Sequence, residues 1–352
     1  MLAPSPRVGA SRWRALAAIA SVTACVMALA ACGGTSTNTS GSAGASPKTV
    51  KNITIGLPVV DATFIPVWLA QDRGFYKAEG LNAQIVTFQG GADLTKAVAA
   101  GSVDVGVNGL GGIMPAIIQG QPLKVVYGGF NEVSYQWMAA PGVKSVQDAK
   151  GKAWGVTKIG SDTDFMTRYV LNKNGIAPAN GAKIVQGISS PAAADAALST
   201  GQIQVAAVAA DNDQPLKEKS KGYHLIASES DYTKSYPDHM VFGQQSYIQQ
   251  NQSTVTSFLR ALSKAITFEK SNPSAAQQAM IKYEKVNPQY AKASYDTFVN
   301  SQFADGRLPD AAGMDFFWQV GLQNGEFKSK VADSKWLDNH WISTYSTWSK
   351  SS

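Results

Sequence analysis

Polar side chains and glycines recur where predicted strands of this 352-residue chain turn into helices. Such turns bind small polar molecules, because the first turn of a helix leaves backbone N–H groups unpaired and glycine allows a close backbone approach. Carboxylate, hydroxyl and amide side chains add further hydrogen-bonding groups. The chemistry indicated is reversible binding. The candidate ligand-binding residues are Asp61, Phe64, Gly91, Asn108, Gly160, Ser161, Asp162, Thr163 and Asp211.

Each candidate also has a purely structural explanation. Ser161, Asp162 and Thr163 are favourable N-caps of any helix. Gly91 turns the chain, and Asp211 can cap the helix that follows it. From the residues alone, capping and ligand contact both stay open at every one of these positions.

Aromatic residues supply a further candidate. Trp137 lies in a segment predicted to cross between two parts of the fold, and we expect it to form a wall of the binding site. Trp68 follows Phe64 by four residues on one helix face and is assigned to the core. The tryptophans near the C-terminus are assigned to helix packing: Trp318, Trp336, Trp341 and Trp348.

Signatures of catalysis are missing from the sequence. The histidines, His224, His239 and His340, are scattered, and no HExxH, GxxxxGK[ST] or GxSxG motif occurs. The segment "GLGGIM" lacks the third glycine of a dinucleotide-binding fingerprint. The cysteines, Cys25 and Cys32, both precede the predicted folded body. The sequence therefore predicts a protein that is no enzyme and uses no cofactor or metal.

The N-terminal segment has the organisation of an export signal. Three arginines and no acidic residue are followed by the apolar run "ALAAIASVTACVMALAA". The residues Leu29-Ala30-Ala31-Cys32-Gly33 resemble a bacterial lipobox, in which the cysteine receives lipid. We expect a signal peptide over 1–31, lipid on Cys32 and a flexible Gly/Ser/Thr tether over 32–50. The alternative is an ordinary secretory signal with an incidental cysteine.

Localisation and charge follow from that segment. A lipid on one flexible end would hold an exported body at the outer face of the cytoplasmic membrane. The chain carries 31 basic and 25 acidic residues, and without the three signal arginines 28 basic residues face 25 acidic ones, a net charge of +3. No run of lysine or arginine is interleaved with aromatic residues, so no nucleic-acid partner is expected.

Strand and helix patterns alternate from Asn52 and restart near Pro141, which indicates two α/β units of parallel strands. The segment "AVAAGSVDVGV" at 97–107 is echoed by "ALSTGQIQVAA" at 197–207. Both read as a helix end, a turn glycine and a strand, with Gly101 and Gly201 at equivalent places. After about residue 240 the pattern becomes helical.

The stretch "PVWLAQDRGFYKAEGLNAQIV" resembles the solute-binding proteins of ABC importers, in the SsuA/TauA/THI5-like (NMT1) branch for sulfonates, taurine, nitrate and thiamine precursors. The later segments "AVAAGSVDVGV", "QGQPLKVV" and "SVQDAKGKAWGV" resemble that family in the same order. The resemblance covers about residues 52–270. The matching positions are Ala70, Gly74, Phe75, Tyr76, Glu79, Gly80, Leu81, Ile85 and Val86.

The resemblance implies an α/β, two-lobed periplasmic-binding-protein-like fold of type II, with lobes joined by two crossing strands. Lobe 1 would comprise 51–138 plus 239–352, and lobe 2 would comprise 139–238. The C-terminal helices would complete lobe 1. The ligand would lie between the lobes, and the expected partners are a small solute, an ABC permease and the membrane that receives the lipid. The protein is expected to be a monomer.

The expected function is therefore that of an extracytoplasmic receptor that delivers a small polar solute of the sulfonate, taurine or nitrate type to a permease. An alternative solute is a pyrimidine thiamine precursor or another nitrogen heterocycle. Three aspartates predicted near the cleft, Asp61, Asp162 and Asp211, outnumber the one basic residue predicted there, Lys158. A different-class alternative is a pyrimidine-synthase-like enzyme on the same fold. Such enzymes rely on histidine and cysteine clusters that this sequence lacks. A non-transport adhesin or sensor is the remaining possibility.

Overall fold

The structure is a computed structural model that describes residues 50–210, 216 and 221–350. The predicted signal peptide, the tether up to residue 49, the lipid site Cys32 and the candidate Asp211 lie outside the described residues. Within the described part of the chain, no helix is both long and apolar enough to cross a membrane.

The first sheet has five strands in the order β2–β1–β3–β10–β4. Its central strand β3 is buried along its whole length, as expected of a short apolar strand covered on both faces. β1 pairs in parallel with β2 and β3, whereas β10 runs antiparallel to β3 and β4. The bounds are β1 (Lys51–Leu57), β2 (Leu81–Thr87), β3 (Val105–Asn108), β4 (Leu123–Phe130) and β10 (His239–Gln244).

The second sheet repeats this plan in the order β7–β6–β8–β5–β9. β6 pairs in parallel with β7 and β8, and β5 runs antiparallel to β8 and β9. The bounds are β5 (Tyr135–Ala139), β6 (Ala153–Val156), β7 (Lys183–Gln186), β8 (Val205–Ala209) and β9 (His224–Ser228).

The chain passes between the sheets twice. Residues 131–134 lead from β4 to β5, and residues 229–238 return from β9 to β10. The predicted boundary at residue 138 falls inside β5, which pairs in the second sheet. The lobe boundaries themselves stay a prediction.

The sequence echo marks equivalent elements of the two sheets. Gly101 has φ +75° before β3, and Gly201 has φ +73° before β8. β3 and β8 occupy the same place in their sheets, next to β1 and β6 respectively. Both glycines adopt the left-handed conformation that lets a helix end and its strand begin within a few residues.

Helices cover the sheets and supply the turns that face the cavity described below. The helices that precede β10 are α1 (Ile65–Asp72), α2 (Phe75–Ala78), α3 (Gly91–Ala99), α4 (Leu110–Ile118), α5 (Asp162–Lys173), α6 (Pro178–Gly181) and α7 (Pro191–Ser199). Those that follow it are α8 (Gln245–Gln250), α9 (Gln252–Ser271), α10 (Pro273–Tyr283), α11 (Pro288–Phe298), α12 (Ala311–Gln323), α13 (Asp333–Trp336), α14 (His340–Ser343) and α15 (Tyr345–Trp348).

The C-terminal helices do not all pack beside the first sheet. α9 packs on α1 and α2, but α12 packs on α5, which contacts β6 and β8 of the second sheet. Phe317 of α12 stacks on Phe165 of α5 with ring centroids 5.6 Å apart. The expectation that these helices only complete the first lobe is therefore too simple, because the apolar face of α5 is covered by α12.

Candidate ligand-binding site

A cavity of about 660 Å³, including its open mouth, lies where the carboxyl ends of strands from both sheets meet. The space open to the centres of water-sized molecules is about 70 Å³, so the cavity is narrow. The walls are loops and helix starts rather than strand centres. Residues from the first-sheet side are Pro58, Val59, Asp61, Phe64, Gly91, Asn108, Gly109 and His239. Those from the second-sheet side are Ser134, Tyr135, Thr157, Ser161, Asp162, Thr163, Ile188, Ser189, Ser190, Pro191, Ala207, Val208 and Ala209.

Asp61 follows β1 and begins the 3-10 turn over 62–64. Its Oδ1 accepts hydrogen bonds from the backbone N–H of Thr63 at 2.9 Å and from the Thr63 hydroxyl at 2.8 Å. Burial raises the pKa of Asp61, although the Thr63 hydrogen bonds and nearby His239 oppose the rise. The turn also places Phe64, whose ring lies edge-on to the His239 ring at 4.3 Å between centroids.

Asp162 begins α5 and connects the two sides of the cavity. Its Oδ1 accepts from the Gly111 N–H at 2.8 Å and from the Tyr236 hydroxyl at 3.2 Å. Its Oδ2 makes no hydrogen bond within the described residues. Burial, followed by the charge of Asp238, raises the pKa of Asp162 to about 8. At neutral pH the group is therefore mostly a neutral acid.

Ser161 and Thr163 flank Asp162 and use their hydroxyls within the protein. Ser161 Oγ accepts from the Ala92 N–H at 3.1 Å, across the cavity. Thr163 Oγ1 accepts from the Thr157 N–H at 3.1 Å and lies 2.8 Å from the Thr157 hydroxyl. These hydroxyls order the start of α5 at the edge of the cavity.

Asn108 and Gly91 determine each other's position. The Asn108 amide donates to the Gly91 carbonyl and to the Thr95 hydroxyl, each at 3.0 Å. A Cβ on Gly91 would collide with the Asn108 side chain, so only glycine fits at the start of α3. Both residues line the cavity.

Two predicted residues, Trp137 and Gly160, do not line this cavity in the described structure. Trp137 is fully buried in the core, where its Nε1–H donates to the Thr167 hydroxyl at 3.0 Å. Gly160 has φ +82° and donates its N–H to Asp164 Oδ2 at 2.9 Å in the turn before α5. Asp211 lies outside the described residues.

The sequence analysis missed the residues that the chain crossings bring to the cavity. Ser134 and Tyr135 come from the first crossing, and His239 comes from the end of the second. A signal was available in retrospect, because Glu132 and the pair Asp238-His239 are polar residues next to otherwise apolar strands. Their proximity depends on pairing between strands that are distant in sequence.

A layer of carboxyl groups lies behind the cavity wall. Glu229 Oε2 accepts from the backbone N–H groups of Ser134 and Tyr135 at 3.0 and 3.1 Å. Burial and the charge of Asp238 raise the pKa values of Glu229 and Glu132 well above their ordinary range. Burial alone lowers the pKa of His239, but Asp238 outweighs it and the net shift is upward.

The cavity wall is therefore acidic. Asp61 and Asp162 line it together with His239, and no lysine or arginine among the described residues does. The nearby cation Lys158 pairs with Asp93 at 2.8 Å. The wall also offers apolar surface from Phe64 and from the β8 residues 207–209.

Comparison with known proteins places this arrangement in a family. The profile of the family described as NMT1/THI5 like matches residues 61–276, more than half of the chain. The chain belongs to that family, which confirms the resemblance seen in the sequence.

A protein of Brucella abortus (strain 2308), named only as a binding protein of no stated ligand, is 26% identical over 232 residues, which span 65% of this chain and 69% of the relative. The 4-amino-5-hydroxymethyl-2-methylpyrimidine phosphate synthase of Schizosaccharomyces pombe is 26% identical over 118 residues, covering 33% of this chain and 34% of the enzyme. The similarity to the enzyme thus involves about a third of each chain.

Among solved structures, the alkanesulfonate-binding protein SsuA of Xanthomonas axonopodis pv. citri superposes with a TM-score of 0.67 at 17% identity, covering 84% of this chain and 99% of that protein. At this identity the likeness shows the fold. The predicted fold class, that of the periplasmic binding proteins, is confirmed.

Proposed function

We propose that the protein is the extracytoplasmic substrate-binding subunit of an ABC importer. The observation that carries the proposal is the cavity itself, which is formed by strand ends and helix starts of two sheets joined by two chain crossings. Its family and its fold neighbours, a sulfonate-binding protein among them, support a receptor role. The two sides, taken as lobes, would close on the solute, and the closed form would be recognised by a permease.

Direct contacts between the two sides support closure over the cavity. Each contact joins the region of α3 and α4 to the loops after β6 and β7. Besides the Lys158–Asp93 ion pair, the Ser189 hydroxyl donates to Gln89 at 3.2 Å. Together with the hydrogen bonds to Ser161 and Asp162, these contacts would open when the lobes separate.

The solute that the wall favours is a nitrogen heterocycle with hydrogen-bond donors, such as an aminopyrimidine. Asp61 offers carboxyl oxygens as acceptors, and Asp162, as a neutral acid, can donate to a ring nitrogen from Oδ2, which has no partner among the described residues. The rings of Phe64 and Tyr135 add aromatic surface. A sulfonate or nitrate, which the sequence analysis placed first, would meet Asp61 and no lysine or arginine among the described lining residues, a less favourable environment for an anion.

A thermal-shift screen tests the function and the solute class together. The panel comprises 4-amino-5-hydroxymethyl-2-methylpyrimidine, cytosine, riboflavin, taurine, ethanesulfonate, bicarbonate and nitrate. A bound solute at about a hundred times its Kd stabilises the protein by about 2.7 kcal/mol. We expect a shift with a pyrimidine and none with the anions. A shift with the sulfonates alone would overturn the solute class, and no shift with any compound would count against all the named classes.

The enzymatic alternative has less support. The sequence has no cysteine after Cys32, and the similarity to the pyrimidine synthase spans only 33% of the chain. A binding protein should return its solute unchanged. Recovery of the pyrimidine intact after prolonged incubation with the protein supports the receptor, whereas its conversion would support the enzyme.

A further inference from the structure

A second group of polar side chains consists of Glu132 and Asp238, which lie behind the ligand cavity, and His239, which also lines it. One carboxylate oxygen from each acid and one ring nitrogen of His239 all lie within 4.8 Å of one another. The three side chains are 2%, 0% and 7% exposed, respectively. Glu132 belongs to the first chain crossing, and the other two end the second crossing and begin β10. The two crossings thus create the group.

Several atoms of this group have no hydrogen-bond partner among the described residues. Both carboxylate oxygens of Glu132 and Oδ1 of Asp238 make no hydrogen bond within the described residues. Asp238 Oδ2 accepts from the Ser134 hydroxyl at 3.0 Å and lies 3.2 Å from His239 Nδ1. A buried polar atom without a partner costs about 1–3 kcal/mol, and a charged one costs more. Three unpartnered oxygens on two neighbouring buried carboxyl groups indicate a ligand that the described residues do not supply.

We propose that Glu132, Asp238 and His239 bind one divalent metal ion of the Zn²⁺ or Mn²⁺ type. Two carboxylates and an imidazole are ligands that both ions accept. The 3.2 Å between Asp238 Oδ2 and His239 Nδ1 fits two ligands of one ion, since ligands about 2.1 Å from a tetrahedral metal lie about 3.4 Å apart. Three protein ligands leave a further position for water.

The ion would also remove an electrostatic problem. If both carboxyl groups are ionised, two buried negative charges lie beside one histidine, and a divalent cation balances them. Asp61 and Asp162 stay on the cavity side, so the expected solute class is unchanged. A small depression in the protein is lined by Thr63, Glu132 and Lys234, so Glu132 lies close to the surface. The inference does not depend on the proposed transport function.

The test measures metal binding by the full chain without an affinity tag. The protein is stripped with a chelator and titrated with MnCl₂ or ZnCl₂ by calorimetry, and bound Mn²⁺ is counted by electron paramagnetic resonance. We expect one Mn²⁺ per chain and a rise in Tm. Mn²⁺ is the deciding probe, because it prefers oxygen and nitrogen ligands to thiolates.

Three variants locate the site. Glu132→Gln and His239→Gln should each weaken Mn²⁺ binding at least about tenfold. Glu269→Gln is the matched control, because Glu269 is another fully buried glutamate with both oxygens unpartnered in the described structure. It should bind Mn²⁺ as the unchanged protein does. Circular dichroism confirms that each variant is folded.

The remaining outcomes overturn the proposal. Unchanged protein that binds neither ion at one per chain would show that protons, not a metal, neutralise the group. Equal affinity in Glu132→Gln and His239→Gln would place any bound ion elsewhere. Equal loss in Glu269→Gln would show a general effect of buried charge rather than ligation.

Discussion

At the scale of single residues, the buried carboxyl group of Asp162 gives the most specific prediction, a dependence of stability on pH. One oxygen of its carboxyl group holds Gly111 and Tyr236, and the other has no partner in the described structure. Because its pKa is raised to about 8 from an ordinary value of 3.8, the folded protein keeps a proton that the unfolded chain releases. This proton links the stability of the site to pH.

We predict that the contribution of Asp162 to stability is fully present below about pH 4 and is lost as pH rises through about 8. Asp162→Asn mimics the neutral acid and should remove this pH dependence. Urea unfolding of both proteins from pH 4 to pH 9, in metal-free buffer, measures it. The free energy of unfolding of the variant should equal that of the unchanged protein at low pH and be larger at high pH. If the free energies of unfolding of the two proteins changed with pH in parallel from pH 4 to pH 9, the raised pKa of Asp162 would be contradicted.

A second prediction at this scale concerns Trp137. Since its indole is fully buried and donates to Thr167, Trp137→Phe should lower the free energy of unfolding by about 1–3 kcal/mol. Solute affinity should stay the same, because Trp137 lies outside the described cavity wall. Denaturant unfolding and calorimetry measure the two quantities separately. A loss of solute affinity with unchanged stability would instead support the sequence-based prediction that Trp137 forms a wall of the binding site.

At the scale of elements, the contact between α5 and α12 positions the site. α5 carries Ser161, Asp162 and Thr163 at its start, and Phe165 one turn later stacks on Phe317 and contacts Phe327. The Asn324 side chain donates to the Phe165 carbonyl at 2.8 Å. The C-terminal part of the chain therefore fixes the helix start that faces the ligand cavity.

Phe317→Ala should lower the free energy of unfolding by about 3–5 kcal/mol, as expected for removal of a buried aromatic side chain. Leu322→Ala is the control on the same helix, because Leu322 is 45% exposed, and it should change stability by less than about 0.5 kcal/mol. Denaturant unfolding measures both. Similar losses in the two variants would mean that α12 does not pack as described.

At the scale of the whole molecule, receptor function requires an exported body that stays near its permease. The predicted lipid on Cys32 and the tether that follows would meet that requirement, although both lie outside the described residues apart from Val50. A net charge of +6 for the full chain falls to +3 without the three signal arginines. Membrane association is thus expected to come from the lipid rather than from a basic surface.

Cys32→Ser should release the protein from the membrane fraction, because the serine cannot receive the lipid. Fractionation of the source cells, with detection by antibody, measures the distribution. Cys25→Ser is the control, because Cys25 lies within the predicted signal peptide, and it should leave the protein in the membrane fraction. Retention of Cys32→Ser with the membrane would contradict the lipobox interpretation.

The sequence by itself determined the local features of the fold. Turn glycines such as Gly101 and Gly201 and the alternating strand and helix patterns act over a few residues, so a linear pattern reveals them. The turns after β1, β3 and β6, which the sequence analysis singled out, line the described cavity because parallel strands bring their carboxyl ends to one edge, and their role in ligand binding stays a prediction.

Only the tertiary structure decided which distant residues share a site. β10 inserts between β3 and β4, and this pairing brings His239 to Phe64 and Asp238 to Ser134. Trp137 enters the core rather than the cavity because its side of β5 faces α5 and Thr167. The contacts of His239 and Asp238 join residues more than a hundred positions apart, and those of Trp137 and Thr167 join residues 30 apart, so no local pattern encodes them.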